Sequence, residues 1–314
     1  MADVLRSGKP LRSRASGATA DRGQNSVLGV AIDYLDRQIA ELLVQEPRVL
    51  SGGQDAVHDM RSATRRLRSA LEIYACLFEA GPSRELGHEL KWLAKALGRP
   101  RDAEVVRERL RARLRELPGE LRTVAVAEPI EHGIDAAYDA GCARVRKALK
   151  SKRYRRLLEE LAHFRDNPPA TDLARRPATP AAAGLVNDQA RVVDRAHRAV
   201  VRSNPGHARD LALHRLRKDT KRLLHAAESV AGLHPKRAPA LARTAHRLQR
   251  ILGTHQDSVM TRKFLESLAA DPDLPEEARL ACRRMLDIEE GLARTAAKQY
   301  ARARRKSPAL RLRR

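Results

Sequence analysis

The sequence predicts an all-helical protein made of two copies of one helical unit. Apolar residues recur with helical spacing through most of the chain, and no segment has the alternating pattern of a β-strand. A long motif in the first half also returns in the second half. Similarity at a fixed spacing indicates internal duplication of a structural unit.

The first helical half follows a polar segment. Residues 1–26 are rich in Arg, Ser, Gly and Ala and lack hydrophobic periodicity, so we expect a disordered basic tail. Helical periodicity then covers the first half, residues 27–165. Gly and Pro predict helix breaks within it at Pro47–Gly53, Gly81–Ser83, Gly98–Arg101, Pro118–Gly119 and Pro129.

A linker separates this half from the next. Residues 166–184 are rich in Pro and Ala and are predicted to connect the halves without helical structure. Helical periodicity resumes over the second half, residues 185–300, and a basic tail is expected over 301–314. Breaks in the second half are predicted at Asn204–Pro205, Gly232–Pro239, Gly253–Gln256 and Asp271–Pro275.

The repeat rests on two matches in the same order. The segment His58–Glu72 aligns with His214–Glu228 at an offset of 156, and the two share His, Arg, Thr, Arg, Leu, Ala and Glu. A Leu-Gly-x-x-x-Asp motif then occurs at Leu97–Asp102 and at Leu252–Asp257, offset by 155. We interpret its glycines as left-handed residues that end helices and its aspartates as N-caps of the helices that follow.

The first motif places a basic ridge beside the predicted core in each half. A helix turns about 100° per residue, so the ridge residues fall within an arc of roughly 80°. They are His58, Arg61, Arg65, Arg68 and Glu72 in the first half, and His214, Arg217, Lys221 and Glu228 in the second. Cations stacked at this spacing repel one another, so their recurrence indicates an anion-binding surface.

The next helix of each half repeats the basic signal. Arg84, His88, Lys91 and Lys95 share one face, and the last three correspond at an offset of 155 to Arg243, His246 and Arg250. Preserved charge with changed identity is typical of a phosphate-lined surface, and a metal site or a general base would not tolerate it.

These two signals together predict one anion-binding site. We expect Arg61, Arg65, Arg217 and Lys221 to line a common groove. The residues expected around it are His58, Arg68, His88, Lys91, Lys95, His214, Lys218, Arg243, His246 and Arg250.

The overall charge predicts a polyanionic partner. The chain has 62 Lys and Arg against 39 Asp and Glu, a formal net charge of +23 and a pI near 10.9. Nucleic acids, other polyphosphates and anionic membranes bind such surfaces. Aromatic residues make up only 3% and are scattered singly, which favours contact with phosphate over stacking on bases. No apolar run approaches the roughly 18 residues of a membrane span.

The cysteines and the N-terminal residues predict a cytoplasmic protein. Cys76, Cys142 and Cys282 form no CxxC pair and leave one cysteine unmatched in any disulfide scheme, which favours a reducing compartment. The charged residues near the N-terminus are not followed by an apolar stretch, so we do not expect a signal peptide.

The two motifs resemble those of the CHAD domain, the conserved-histidine α-helical domain, over about residues 27–300. The sequence departs from the family pattern at Leu224-His225, where the family usually has Arg-Tyr, so the second ridge loses one cation. We expect His225 to replace it in part. The matching segments are His58–Arg68, Leu97–Asp102, Leu149–Leu158, Leu213–Lys218, Lys221–Leu223 and Leu248–Asp257.

The resemblance implies a fold and a function. The implied fold is two four-helix bundles related by a pseudo-twofold axis, with the basic ridges facing a shared groove or pore. The implied function is the binding of inorganic polyphosphate, with association with polyphosphate granules. We expect no catalysis, metal or cofactor.

Two alternatives remain open. Non-specific binding of nucleic acid would use the same basic surface and the two predicted tails. A metal-dependent phosphohydrolase would use a His-Asp pair such as His58-Asp59, but the second copy has His214-Arg215, where a guanidinium opposes metal binding. The Glu-x-Glu-x-Lys motif of the triphosphate hydrolase often joined to CHAD domains does not occur.

Overall fold

The fold consists of helices throughout. A computed structural model of the chain describes residues 25–53, 55–307 and 309–312. Over these residues the α-helices are α1 (Val27–Leu50), α2 (Ala56–Ile73), α3 (Ala80–Glu116), α4 (Val124–Leu149), α5 (Lys152–Asp166), α6 (Ala178–Arg202), α7 (His207–Ser229), α8 (Arg237–Ala269) and α9 (Glu276–Lys306). Short 3-10 turns at Ala75–Leu77, Gly119–Leu121 and Asp172–Arg175 lie between helices.

The all-helical prediction is confirmed. In the described part of the chain β-structure is limited to two isolated bridges, Ser26 with Pro177 and Phe78 with Ala170. None of the described helices is long and apolar enough to cross a membrane. The predicted N-terminal tail falls mostly on residues 1–24, which lie outside the described residues. Ser26 is the N-cap of α1, where its hydroxyl accepts a hydrogen bond from the Gly29 amide.

Five of the predicted helix breaks agree with the structure. Helices end next to Pro47–Gly53, Pro118–Gly119, Asn204–Pro205, Gly232–Pro239 and Asp271–Pro275. The break predicted at Gly81–Ser83 occurs earlier, because α3 already begins at Ala80. Pro129 lies inside α4 rather than at its boundary.

The breaks predicted at Gly98–Arg101 and Gly253–Gln256 are wrong. Both segments lie inside long helices, α3 and α8, and neither Gly98 nor Gly253 has a positive φ. Asp102 and Asp257 are therefore not N-caps.

Packing explains why α3 continues through Pro100. A proline inside a helix loses one backbone hydrogen bond and its ring crowds the preceding turn. Pro100 is buried against Gly141 of α4, where an added Cβ would lie 2.9 Å from the Pro100 nitrogen. The close approach of the two helices buries the proline ring and offsets the cost of the lost bond.

The predicted linker and C-terminal tail are shorter than expected. Helix α6 begins at Ala178, so the end of the predicted linker is helical. Helix α9 continues to Lys306, and beyond it Leu310 and Leu312 are buried in the main core. The Leu312 amide donates to Oδ1 of Asn187 at 2.8 Å, which ties this end of the chain to α6. Most of the predicted tail is therefore helical or packed against the core.

The helices pack in the same order in both halves. Helices α1 to α4 contact one another in sequence, and so do α6 to α9. Each helix of the first series also contacts its counterpart in the second: α1 with α6, α2 with α7, α3 with α8 and α4 with α9. A twofold arrangement would produce these contacts, and the superposition of the halves remains a prediction.

The hydrophobic core has two parts, and both draw residues from the two halves. The larger contains α1, α2, α5, α6 and α7 with the first parts of α3 and α8. The smaller contains the later parts of α3 and α8 with α4 and the first part of α9. The residues of the predicted site lie on α2, α3, α7 and α8.

Candidate functional site

Helices α2 and α7 hold their basic ridges in place by burying the neighbouring face. Of the residues predicted to pack into the core beside the ridges, Val57 is half-buried and the others are buried. The buried ones are Met60, Thr64, Leu67 and Leu71 on α2, and Leu213, Leu216, Thr220 and Leu223 on α7. Thr64 donates from its hydroxyl to the carbonyl of Met60, so it enters the core without an unpaired donor. The adjacent basic face of each helix is thereby fixed in orientation.

Reciprocal ion pairs join the two helices. Nε of Arg66 lies 3.4 Å from Glu228, and Nε of Arg222 lies 2.8 Å from Glu72. These pairs are equivalent at the offset of 156, because 66 + 156 = 222 and 72 + 156 = 228. The two ridge glutamates therefore neutralise arginines of the opposite helix and do not belong to the anion-binding surface.

His225 does not replace the cation that the second ridge lacks. It is buried between the two helices, and its Nδ1 lies 2.8 Å from the hydroxyl of Ser69. Burial, followed by the nearby Lys221, lowers the pKa of His225 well below its ordinary value. It is neutral at physiological pH, so this expectation is wrong.

Four basic residues meet between α2 and α7, and we call Arg61, Arg65, Arg217 and Lys221 the central cluster. They interact electrostatically across the two helices. The charges of Arg61 and Arg217 disfavour the protonated form of Arg65, and those of all three arginines disfavour the protonated form of Lys221. Each is half-buried or more. The structure thus brings together the four residues predicted to line a groove.

Carboxylates offset only part of this charge. Nη2 of Arg61 lies 3.0 Å from Oδ1 of Asp102 on α3. Asp257 on α8 provides the main favourable charge for Arg217. Among the described residues, no Asp or Glu lies within ion-pair distance of Arg65, Arg217 or Lys221. Nε of Arg217 is also buried without a hydrogen-bond acceptor.

Burial of these unpaired cations disfavours their charged forms. Burial, together with Arg61 and Arg217, lowers the pKa of Arg65 to about 9. Burial, together with Arg65 and Arg217, lowers the pKa of Lys221 to about 6. Among the described residues no carboxylate pairs with these charges, so a bound anion would gain strong, partly desolvated interactions here.

Two histidines flank the central cluster, one on each helix. Burial and then Arg101 lower the pKa of His58. Burial also lowers the pKa of His214, while the contact of its Nδ1 with Oε1 of Gln256 opposes the shift. An amide oxygen only accepts, so Nδ1 of His214 carries the proton and Nε2 is left for another partner.

The remaining predicted residues fall into two groups. The charge of Arg68 disfavours the protonated form of Arg65, and the charge of Lys218 disfavours that of His214. Arg68 and Lys218 therefore lie at the edge of the central cluster. The six on α3 and α8 are exposed, and no described ion pair or hydrogen bond joins them to the cluster. They are His88, Lys91, Lys95, Arg243, His246 and Arg250.

Sequence reasoning missed the residues of α3 and α8 that complete the site. The charges at the central cluster also include those of Asp102, Asp257 and Arg101. The positive charge of Arg109 favours the ionised form of Asp257. Burial raises the pKa of Asp257, and Arg217 opposes that shift. The signal that could have revealed them is the spacing of seven from His88 through Lys95 and Asp102 to Arg109. It becomes visible only when α3 is treated as one helix through Pro100.

The motif glycines lie beneath this charge network. A Cβ built on Gly253 would lie 3.8 Å from Nε of Arg217, and one on Gly98 would lie 3.8 Å from Oδ2 of Asp102. The Leu-Gly-x-x-x-Asp motif therefore places an aspartate beside an arginine of the preceding helix, and it does not end a helix.

A buried ion-pair network extends the polar layer into the smaller core. Glu289 of α9 is fully buried and accepts from Nη2 of Arg109, while Nε of Arg113 lies 3.8 Å from it. Arg109 also donates to the hydroxyl of Ser258 at 2.7 Å. Here the positive charge is compensated, in contrast to the central cluster.

The described residues include no group of three or more His, Cys, Asp and Glu that could hold a metal ion. His58-Asp59, the pair behind the phosphohydrolase alternative, lies instead among Arg101, Arg61 and Lys221. Cations at this density disfavour binding of a further cation.

Comparisons with known proteins relate the chain to one family. The model of the CHAD domain matches residues 33–266. Two curated relatives from Mycobacterium tuberculosis strains, the uncharacterized proteins MT2285 and Rv2226, are each 33% identical over 240 residues. Each alignment covers 76% of this chain and 45% of the relative, so the chain spans about half the length of these relatives.

Two solved structures have a similar fold. PptA from Streptomyces chartreusis superposes with a TM-score of 0.74 at 19% identity, covering 90% of this chain and all of PptA. The CHAD domain from the plant Ricinus communis also gives a TM-score of 0.74, at 22% identity, covering 92% of this chain and 95% of that domain.

Proposed function

Because the chain belongs to the CHAD domain family, we propose that it binds inorganic polyphosphate through the central cluster and does not hydrolyse it. The observation that carries this proposal is the set of unpaired, largely buried cations Arg65, Arg217 and Lys221. A polyphosphate chain brings closely spaced anionic oxygens and no bulky base. Arginine can bind such oxygens with two parallel hydrogen bonds, while lysine acts as a point charge.

The aromatic residues favour this ligand over nucleic acid. All nine Phe, Tyr and Trp residues lie in the described part of the chain, and none is exposed. Trp92, the one tryptophan, lies beneath the guanidinium of Arg153 at 4.6 Å. Single-stranded nucleic acid is bound by exposed rings on which bases stack, so its affinity for this surface would come from phosphate contacts alone.

A competition titration tests the proposal. Long-chain polyphosphate should bind the protein, and single-stranded DNA of equal total charge should displace it poorly. The double variant Arg65→Gln/Lys221→Met should lose at least tenfold in affinity. The control Arg198→Gln/Arg202→Gln removes two charges from exposed, unpaired residues of α6 and should change binding little. Equal loss in both variants, or equal competition by DNA, would contradict the proposal.

Absence of catalysis needs a separate measurement. Polyphosphate or a nucleoside triphosphate incubated with the protein and Mg²⁺ or Mn²⁺ should release no phosphate above background. Turnover that disappears in His58→Ala would instead support the phosphohydrolase alternative.

Location in the cell also follows from this function. A protein that binds long polyphosphate should accumulate at polyphosphate granules, and a fluorescent fusion that carries Arg65→Gln/Lys221→Met should lose that enrichment. An equal distribution of the two fusions would separate binding in solution from granule association.

A further inference from the structure

A second basic surface lies outside the predicted site, at the junction of α4 and α5. We call residues 144–156 the α4–α5 corner; their sequence is RVRKALKSKRYRR. Eight of these thirteen residues are Lys or Arg, none is acidic, and all eight basic side chains are exposed. In the described part of the chain, Arg153 is the one of the eight that forms an ion pair, with Glu89.

The helix dipole accounts for the cations at the end of α4, but not for those at the start of α5. The first turns of α5 contain Lys152, Arg153, Arg155 and Arg156, where cations oppose the helix dipole. Acidic residues are favoured at such positions, and α5 instead has its Glu159 and Glu160 further along the helix. The positive charge of the corner therefore indicates a role in binding.

The corner is connected to the central cluster through α3. At one end, Nε and Nη2 of Arg153 bind the two carboxylate oxygens of Glu89 at 2.6 and 2.9 Å. At the other end, Asp102 of the same helix binds Arg61. The two contacts are thirteen residues apart, which is about 20 Å along a helix.

Exposed cations form a stripe along α3 that leads to Asp102, about 140° around the helix from Glu89. At about 100° per residue, His88, Lys91 and Lys95 fall within about 40° of the direction of Asp102. No acidic residue lies on this stripe between His88 and Asp102. His88 also lines an open cleft of about 840 Å³ between α3 and α5, together with Lys152, Arg153 and Arg156. Glu85 and Glu89 of α3 and Glu159 and Glu160 of α5 line the same cleft, so the part suited to an anion is the start of α5, which carries the basic residues.

From this arrangement we propose that the α4–α5 corner is a second polyanion-binding surface, which holds the part of a long polyphosphate chain that extends beyond the central cluster along α3. The proposal rests on the proposed function, because it assumes that the central cluster binds the same chain. Its consequence is a preference for long chains: a short chain occupies the central cluster alone, whereas a long one also contacts the corner.

The test compares two chain lengths. The short polyphosphate has an extended length below about 20 Å, the distance along α3 estimated from the helical rise, and the long one is several times longer. The corner variant is Lys152→Gln/Arg155→Gln/Arg156→Gln, which spares the Arg153 contacts. Its control is Arg195→Gln/Arg198→Gln/Arg202→Gln, which removes the same charge from exposed positions of α6.

We expect the corner variant to weaken long-chain binding by tenfold or more and to leave short-chain binding within twofold of the wild type. The slope of log affinity against log salt for the long chain should become shallower by about 2, at about 0.7 per lost contact as for single strands. The α6 control should change neither quantity.

Other outcomes separate the two proposals. If the wild type binds both lengths but the corner variant loses the same factor for each, or behaves like the α6 control, the second surface does not exist while the central site stands. If the wild type binds neither length, the proposed function itself fails.

Discussion

Lys221 occupies a position that makes the free protein less stable. It is largely buried, it has no carboxylate partner among the described residues, and the charges of four arginines disfavour its protonated form. Replacing it with Met should raise the free energy of unfolding by about 2 kcal/mol, because an apolar side chain of similar length avoids the cost of burying an amine that must lose its proton or its hydration. For a chain of this size that is a rise of about 3 °C in Tm.

The same substitution should weaken polyphosphate binding, which makes the prediction specific. Thermal unfolding measured without ligand, followed by a binding titration, checks both effects. Lys298→Met, at an exposed position of α9, is the control and should change neither quantity. A lower Tm for Lys221→Met would show that the lysine has a stabilising partner.

The protonation of three residues should couple binding to pH. Burial lowers the pKa of Lys221 to about 6 and also lowers the pKa values of His58 and His214. A bound polyanion favours their protonated forms, so binding should take up protons and affinity should fall as the pH rises from 6 to 8. In the absence of ligand the unfolded chain binds more protons than the folded one, so stability should rise with pH above about 6.

Calorimetry in two buffers of different ionisation enthalpy measures the proton uptake directly. Lys221→Arg keeps a charge throughout this range and should retain binding with a weaker pH dependence. His58→Gln/His214→Gln should remove the histidine contribution. Affinities that are the same at pH 6 and pH 8 in the wild type would show that none of the three residues changes its protonation on binding.

At the scale of elements, the continuity of α3 and α8 determines which carboxylates lie beside the central cluster. Each helix passes through a Gly-containing segment that the sequence predicts as a break, and each thereby places an aspartate beside an arginine of the preceding helix. The close packing of α4 on Pro100 supports this continuity in α3. Loss of that packing should therefore affect both stability and the central cluster.

Gly141→Ala tests the packing of α4 on α3. The added Cβ would lie 2.9–3.2 Å from the nitrogen, Cα and Cβ of Pro100, so the helices must separate, at a cost of about 1–3 kcal/mol. Gly133→Ala, also in α4, is the matched control: its Cβ would meet Leu268 and Phe264 at 3.7 and 3.8 Å. Because Ala favours helix over Gly, the control should stabilise by about 0.5–1 kcal/mol. Denaturant unfolding of both variants measures the difference, and equal effects would show that the close approach is not constrained.

At the scale of the whole molecule, the end of the chain belongs to the folded core. Leu312 is 5% exposed, and its backbone forms two hydrogen bonds with the side chain of Asn187 in α6. Leu312→Ala should cost about 2 kcal/mol in the free energy of unfolding. A free basic tail would predict no change, so chemical denaturation distinguishes the two. The exposed Leu211→Ala of α7 serves as the control.

The relation between the two halves is also a property of the whole molecule. The reciprocal pairs of Arg66 with Glu228 and Arg222 with Glu72 are the contacts that a pseudo-twofold axis between α2 and α7 would generate. The fold class and the family are established, and the superposition of 27–165 on 185–300 remains a prediction for an experimental structure.

The sequence by itself determined the helical class, the family and the four residues of the central cluster. The helical class and the residues of each ridge follow from local periodicity, because a helix fixes which residues share a face whatever packs against it. The family follows from the resemblance of the two motifs to those of the CHAD domain. Tertiary structure alone decided the course of α3 through Pro100, the burial of Leu312 and the neutrality of His225. Each depends on neighbours distant in sequence: packing against Gly141 compensates a lost hydrogen bond, a shared core captures the chain end, and desolvation between α2 and α7 removes a charge.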